Sequence, residues 1–193
     1  TRRIPSGAGL GGSSADAAGV INAYRIMYGV NASEPEIKRI AFSVGSDVPY
    51  MLSGGLCRLT GTGENVTKID ADVKGKILLC GRGKVDTYAC FLNFDALNRP
   101  VKPSADEFSD SLKTGKIDPY NALEAAAEKI EPNIKIIRET MRENGLKAAM
   151  TGSGAYVFGL GGDEELVRAK TALRNRGYES EIINIVNNGC ETL

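Results

Sequence analysis

The segment from Ala15 to Tyr28 (ADAAGVINAYRIMY) is apolar around most of a helical circumference, which predicts a buried helix ending at Gly29. Before it, Ile4 to Ser14 holds four glycines between Gly7 and Gly12, a density that suits a loop in which backbone approaches something closely. Ser33 and Glu36 have capping-box spacing with Pro35 in the first turn. They open a second helix, with Ile37, Ile40, Ala41 and Val44 on one face and a stop at Gly45. Pro49 starts a short third helix, with Ser46 or Asp47 near its cap. Residues 54–70 read as a strand pair with glycine turns.

A boundary is expected near Val73-Lys74-Gly75. Beyond it, Lys76 to Cys80 reads as a strand, followed by helices at about 88–97, 104–113, 119–130 and 133–144. Asn121 to Ala127 (NALEAAA) is the strongest of these by helix propensity. Two apolar stretches, Lys147 to Thr151 and Ala155 to Leu160, joined by Gly152-Ser153-Gly154, predict a hairpin. A helix at about 163–176 and a strand from Ser180 to Val186 close the chain. This order of strands and helices is that of a layered α+β domain.

Composition narrows the chemistry. The 193 residues carry 24 basic and 24 acidic side chains, a balance that points neither to nucleic acid nor to an anionic membrane surface. There is no histidine, which removes Ser–His and Cys–His nucleophiles and histidine bases. Cys57, Cys80, Cys90 and Cys190 form no CxxC pair, so they read as buried free thiols, not as a zinc site or disulfide framework. No run of about 18 apolar residues predicts a membrane-spanning helix.

The glycine segment is the candidate site. Backbone N–H groups exposed by small residues at a helix N-terminus bind anions, and Ser13 and Ser14 add hydroxyls for a phosphate oxygen or a metal ion. No Gly-Lys-Ser/Thr follows, so it is no Walker A loop. Gly7, Gly9 and Gly12 satisfy G-x-G-x-x-G, but only six residues precede them and no acidic residue ends a second strand about twenty residues on. A tight turn for helix packing is the structural alternative to a phosphate loop.

Pro5-Ser6-Gly7-Ala8-Gly9-Leu10-Gly11-Gly12-Ser13-Ser14 resembles the phosphate-binding motif of the GHMP kinase superfamily. Gly45-Ser46-Asp47-Val48-Pro49 is similar to the G-[AS]-D-V-P segment of one branch, the 4-diphosphocytidyl-2-C-methyl-D-erythritol kinases, and favours that branch over the alternatives, a homoserine- or mevalonate-type kinase or a chain that binds nucleotide without activity. Met150 to Phe158 (MTGSGAYVF) resembles the superfamily's third glycine motif.

The resemblance implies a two-domain α/β (α+β) kinase. Residues 1–73 would be the remainder of an N-terminal ATP-binding domain and residues 76–193 a ferredoxin-like C-terminal domain. It implies ATP and Mg²⁺, with phosphates on Pro5 to Ser14 and metal ligands unassigned. The substrate would be a cytidine-diphosphate-linked sugar alcohol, phosphorylated in the cytoplasm for isoprenoid precursors. Asp47 takes the place of the catalytic Asp; capping the Pro49 helix is its structural alternative, and the two roles are compatible. The family's catalytic Lys lies upstream of the glycine loop, and nothing in this sequence corresponds to it. The chain is therefore expected to be part of a longer protein, to expose an unpaired strand edge and to show little or no activity by itself. Ser13 replaces a frequent third glycine, a tolerable exchange where φ is negative, and Asp16 keeps its place. Phe91 is expected either to stack near the cytosine ring or to fill a core. Gly152 and Ser153 are expected either to line the substrate and phosphate site or only to turn the hairpin.

Overall fold

The computed structural model describes residues 4–71, 73–98, 105–113 and 117–190. The chain forms two compact units that are not sequential halves. The first comprises residues 1–10 and 74–185, the second residues 11–73 and 186–193.

The first unit contains β3 (Lys76–Gly81), α4 (Thr87–Leu97), α5 (Ala105–Lys113), α6 (Glu124–Ala127), α7 (Asn133–Glu143), β4 (Lys147–Met150), β5 (Tyr156–Leu160), α8 (Asp163–Asn175) and β6 (Ser180–Asn184). The strands form one antiparallel sheet in the order β4-β5-β3-β6. Each long crossover therefore skips a strand that runs the other way, which is the ferredoxin-like split βαβ arrangement. Alternation along β3 sends Leu78 and Cys80 toward the helices, where they meet Ile134, Ile137 and Met141 of α7 and Leu166 and Leu173 of α8 in one core. With Ala169 between the two leucines of α8, the buried residues of each helix recur at three- and four-residue intervals, as a stripe facing a sheet requires.

The second unit contains α1 (Gly12–Met27), α2 (Glu34–Val44), α3 (Val48–Ser53), β1 (Cys57–Thr60) and β2 (Asn65–Lys68). β1 and β2 pair antiparallel, with no further strand beside them among the described residues. The core is small and built on Ala18, Ala41 and Val48, with Ile21, Met51, Leu52 and Cys190 packed around it. The end of the chain returns to this unit: Cys190 N donates to Met51 O (2.9 Å) and Asn22 Nδ2 to Cys190 O (2.9 Å). Gly54 permits this, because at φ +59 a Cβ there would lie 1.9 Å from Gly189 N.

Several expectations are corrected. The first helix begins at Gly12, not near Ala15, so Gly12, Ser13 and Ser14 are its first turn and not loop. It is not buried all round: Val20, Tyr24 and Met27 are 68%, 58% and 75% exposed, and only Gly12 and Ala18 are buried. In α2 the buried line is Ile37 and Ala41, whereas Ile40 and Val44 face outward. The helix expected over 119–130 shrinks to Glu124–Ala127, because the Asn121 side chain holds a turn there. The last strand stops at Asn184, since residues from 186 onward join the second unit. Cys80 and Cys90 are buried, but Cys57 and Cys190 are half-buried. Ser104, where the helix over 104–113 is expected to start, lies outside the described residues.

Candidate functional site

In the first unit the glycine segment and the third glycine motif are laid against each other. Ala155 N donates to Gly7 O (3.0 Å) and Tyr156 N to Ala8 O (3.3 Å). Thr151 Oγ1 donates to Ala8 O (3.1 Å), and Ala8 itself is buried. Gly9, at φ +69, passes so close that a Cβ there would lie 2.2 Å from Thr151 O. Gly152, at φ +48, would place a Cβ 2.7 Å from Gly9 O. Both positions need glycine twice over, for the left-handed backbone and for the approach. The structure thus brings Gly7, Ala8 and Gly9 together with Gly152, while Pro5 and Ser6 are exposed. Pro5 and Leu10 also line a cavity of about 450 Å³ with Leu79, Tyr156 and Ser180.

Ser153 stands beside the start of α4, its hydroxyl 2.9 Å from Thr87 Oγ1. Asp86 caps that helix by accepting from Ala89 N (2.8 Å). Phe91 lies one turn further along. It is 49% exposed and outside the core, which α4 fills with Cys90, Phe94 and Leu97.

In the second unit, Gly11 stands at the N-cap of α1 in the left-handed region (φ 64) with no side-chain capping bond. No acidic residue occupies the first turn. The start of α1 therefore carries no carboxylate of its own to compete with an anion, a condition under which a helix N-terminus attracts one. Ser13 has no positive φ, so the exchange of glycine for serine carries no backbone strain. Asp47 is exposed and occupies the N-cap position of α3, with Pro49 in the first turn, yet its carboxylate makes no capping bond to that helix. A cavity of about 430 Å³ in this unit, lined by Arg25, Lys38 and Lys68 among others, contains none of the expected site residues.

Thiol chemistry is not set up. Burial pushes Cys80 up to about 12 and raises Cys57 and Cys90, so these three stay protonated at neutral pH. Among the described residues no group of three or more His, Cys, Asp or Glu is placed to hold a metal. No helix among them is long and apolar enough to cross a membrane.

Four residues at the site escape a sequence reading. Thr151 ties its hydroxyl to the glycine segment, and Thr87 meets Ser153. Asn121 Nδ2 donates to Met150 O (2.9 Å) and Gly152 O (2.8 Å), and Glu124 accepts from Met150 N (3.0 Å). The only signal for the last two was the helix propensity of Asn121 to Ala127, which places both inside a helix and says nothing of the turn.

The family profile described as GHMP kinases N terminal domain matches residues 1–55, and that described as GHMP kinases C terminal matches residues 95–179. A 4-diphosphocytidyl-2-C-methyl-D-erythritol kinase of Caldanaerobacter subterraneus subsp. tengcongensis is 33% identical, over 100% of this chain and 69% of its own length. One of Caldicellulosiruptor saccharolyticus is 34% identical, over 82% of this chain and 57% of its own length. The chain thus spans less than two thirds of that second relative. Among solved structures, a 4-(cytidine 5'-diphospho)-2C-methyl-D-erythritol kinase superposes with a TM-score of 0.75 at 31% identity, covering 94% of this chain and 68% of the other. A homoserine kinase of Cytophaga hutchinsonii superposes with a TM-score of 0.76 at 16% identity, a likeness of fold alone, over 98% of this chain and 70% of the other. Two domain profiles in the right order, and one-third identity along the whole chain to enzymes of one kind, place the chain in the GHMP kinase family.

Proposed function

We propose that the natural gene product is an ATP-dependent kinase that phosphorylates the 2-hydroxyl of 4-diphosphocytidyl-2-C-methyl-D-erythritol. The observation that carries this reading is the 33% identity, over the whole of this chain, to a kinase of that name, with the segment Gly45-Ser46-Asp47-Val48-Pro49 in support. The chain covers 57–69% of those two relatives, so the activity is proposed for the gene product and not for these 193 residues alone.

Pro5, Ser6, Gly7, Ala8, Gly9, Leu10, Gly11, Gly12, Ser13 and Ser14 would bind the phosphates. A helix start with glycine at its N-cap and no acidic residue in its first turn fits an anion of that kind. Mg²⁺ would enter with the nucleotide, held by its phosphates together with one or two carboxylates, the usual arrangement for this ion. Bound there, it would neutralise charge on the transferred group. Asp47 would orient the attacking hydroxyl and accept its proton. A carboxylate that makes no capping bond to its own helix remains available for that role. Phe91, Gly152 and Ser153 would contact substrate, and the exposure of Phe91 suits stacking better than a core position.

The test is ATP-dependent phosphorylation by the purified gene product, offered 4-diphosphocytidyl-2-C-methyl-D-erythritol, homoserine and mevalonate. Turnover of the first and of neither other alcohol is expected. Turnover of homoserine or mevalonate instead would reassign the substrate.

A further inference from the structure

β4 is an edge strand of the sheet, so the peptide groups on its outer side have no strand partner among the described residues. Side chains take that place. Arg142 donates to Ala148 O through Nε (3.1 Å) and Nη2 (2.7 Å). Glu124 accepts from Met150 N (3.0 Å), and Asn121 donates to Met150 O (2.9 Å). Satisfying an edge in this way is ordinary structural work.

Asn121 does more than that. The second hydrogen of Nδ2 goes to Gly152 O (2.8 Å), past the end of the strand and inside the turn. Its Oδ1 accepts from Leu123 N (2.9 Å), so all three polar positions of the amide are used and its orientation is fixed. Glu124 is held in turn by Arg138, which also pairs with Glu128 at 2.7 Å. The side chains of Glu124 and Arg138 are each only 13% exposed. The turn they anchor is the one whose Thr151, Ala155 and Tyr156 bond to the carbonyls of Gly7 and Ala8, and whose Gly152 lies against Gly9.

We propose that Asn121 and Glu124 are positioning residues for the nucleotide: Glu124 holds Met150 where the strand ends, Asn121 ties Met150 to Gly152 inside the turn, and the turn so clamped sets the path of Gly7 to Gly9. Neither side chain needs to touch ATP. The carbonyls of Gly7 and Ala8 are satisfied by Thr151, Ala155 and Tyr156, so the turn fixes how the peptide groups that follow them are oriented. This rests on the kinase reading for the identity of the ligand, but the clamp itself can be measured without turnover.

Asn121→Asp is the sharpest probe. It keeps the acceptor for Leu123 N and replaces two donated hydrogen bonds by an oxygen facing two carbonyls. Asn121→Ala and Glu124→Ala are the milder companions, and serve if the aspartate variant does not fold. In the natural gene product, amide exchange at Ala155 and Tyr156 should quicken by roughly tenfold or more, with the α8 amides unchanged. The dissociation constant for ATP should rise by a similar factor, while KM for the alcohol shifts by less than about twofold. Unchanged exchange at Ala155 and Tyr156 would overturn the clamp. Faster exchange with unchanged ATP affinity would overturn its link to the nucleotide. A wild-type protein that turns over none of the alcohols would fail the functional reading in the control itself, leaving the exchange measurement to decide the clamp.

Discussion

Gly9 and Gly152, 143 residues apart in the sequence, meet backbone to backbone, and a Cβ on Gly152 would stand 2.7 Å from the Gly9 carbonyl oxygen. Neither chain segment can yield, because the glycine segment is bonded to Ala155 and Tyr156 and the turn to Asn121. Gly9→Ala would add left-handed strain of about 1–2 kcal/mol and push a methyl into Thr151 O. Gly29→Ala is the control: it also sits at positive φ (+59), but nothing lies within 4 Å of its Cβ. Thermal unfolding should show Gly29→Ala losing only about 1–2 kcal/mol, and Gly9→Ala distinctly more. Equal losses would mean that the close approach carries no weight.

Asp47 starts α3 without capping it, so stability and catalysis should separate there. Asp47→Asn in the gene product is expected to leave the melting temperature unchanged and to cut kcat by about 10²–10⁴. A melting temperature that falls together with activity would instead assign Asp47 to holding the fold.

Glu128 is expected to work against stability at neutral pH. Burial raises its pKa above the usual 4.5, and the Arg138 guanidinium only partly offsets this. The folded protein then binds the proton more tightly than the unfolded chain does. Stability from this group is present below the unfolded value and is lost as pH rises through the folded one. Glu128→Gln should flatten that part of the pH–stability curve and be no less stable than wild type at pH 7, since Arg138 keeps Glu124. A steep loss at pH 7 would show that the Glu128–Arg138 pair outweighs the burial of the charge.

The four thiols should sort by burial. Cys80 and Cys90 are 1% and 0% exposed, and burial raises both. Iodoacetamide applied to the native protein is expected to label Cys190 first, Cys57 more slowly because burial raises its thiol, and Cys80 and Cys90 only on unfolding, as peptide mapping would report. Labelling of Cys80 in the native state would contradict the packing of β3 on the helices.

Much of the fold was legible locally. Ser33, Pro35 and Glu36 announced the start of α2, and Ser33 N and Oγ do bond to Glu36 Oε2 at 2.9 and 2.6 Å. The strand pair near 57–68, β3, the 147–160 hairpin and α8 follow from short-range period and turn chemistry. The helix over 119–130 was misread because propensity counts alanines and cannot see that Asn121 is drawn to Met150 and Gly152, about thirty residues away. The burial of α1 was misread for a related reason. Its apolar circumference states which residues could be covered, whereas Val20, Tyr24 and Met27 have no covering element among the described residues.

The sequence by itself determined most of the elements, the three glycine- and proline-marked motifs and the family resemblance, because each depends on residues within a few positions of one another. Only the tertiary structure decided that the first motif lies on the third, that Gly9 and Gly152 are glycine for each other's sake, and that Asn121 and Glu124 hold the turn between them. Those relationships are distances between atoms far apart along the chain. Hydrogen bonds of about 3 Å and excluded methyl groups arise only once the sheet has fixed where β4 ends.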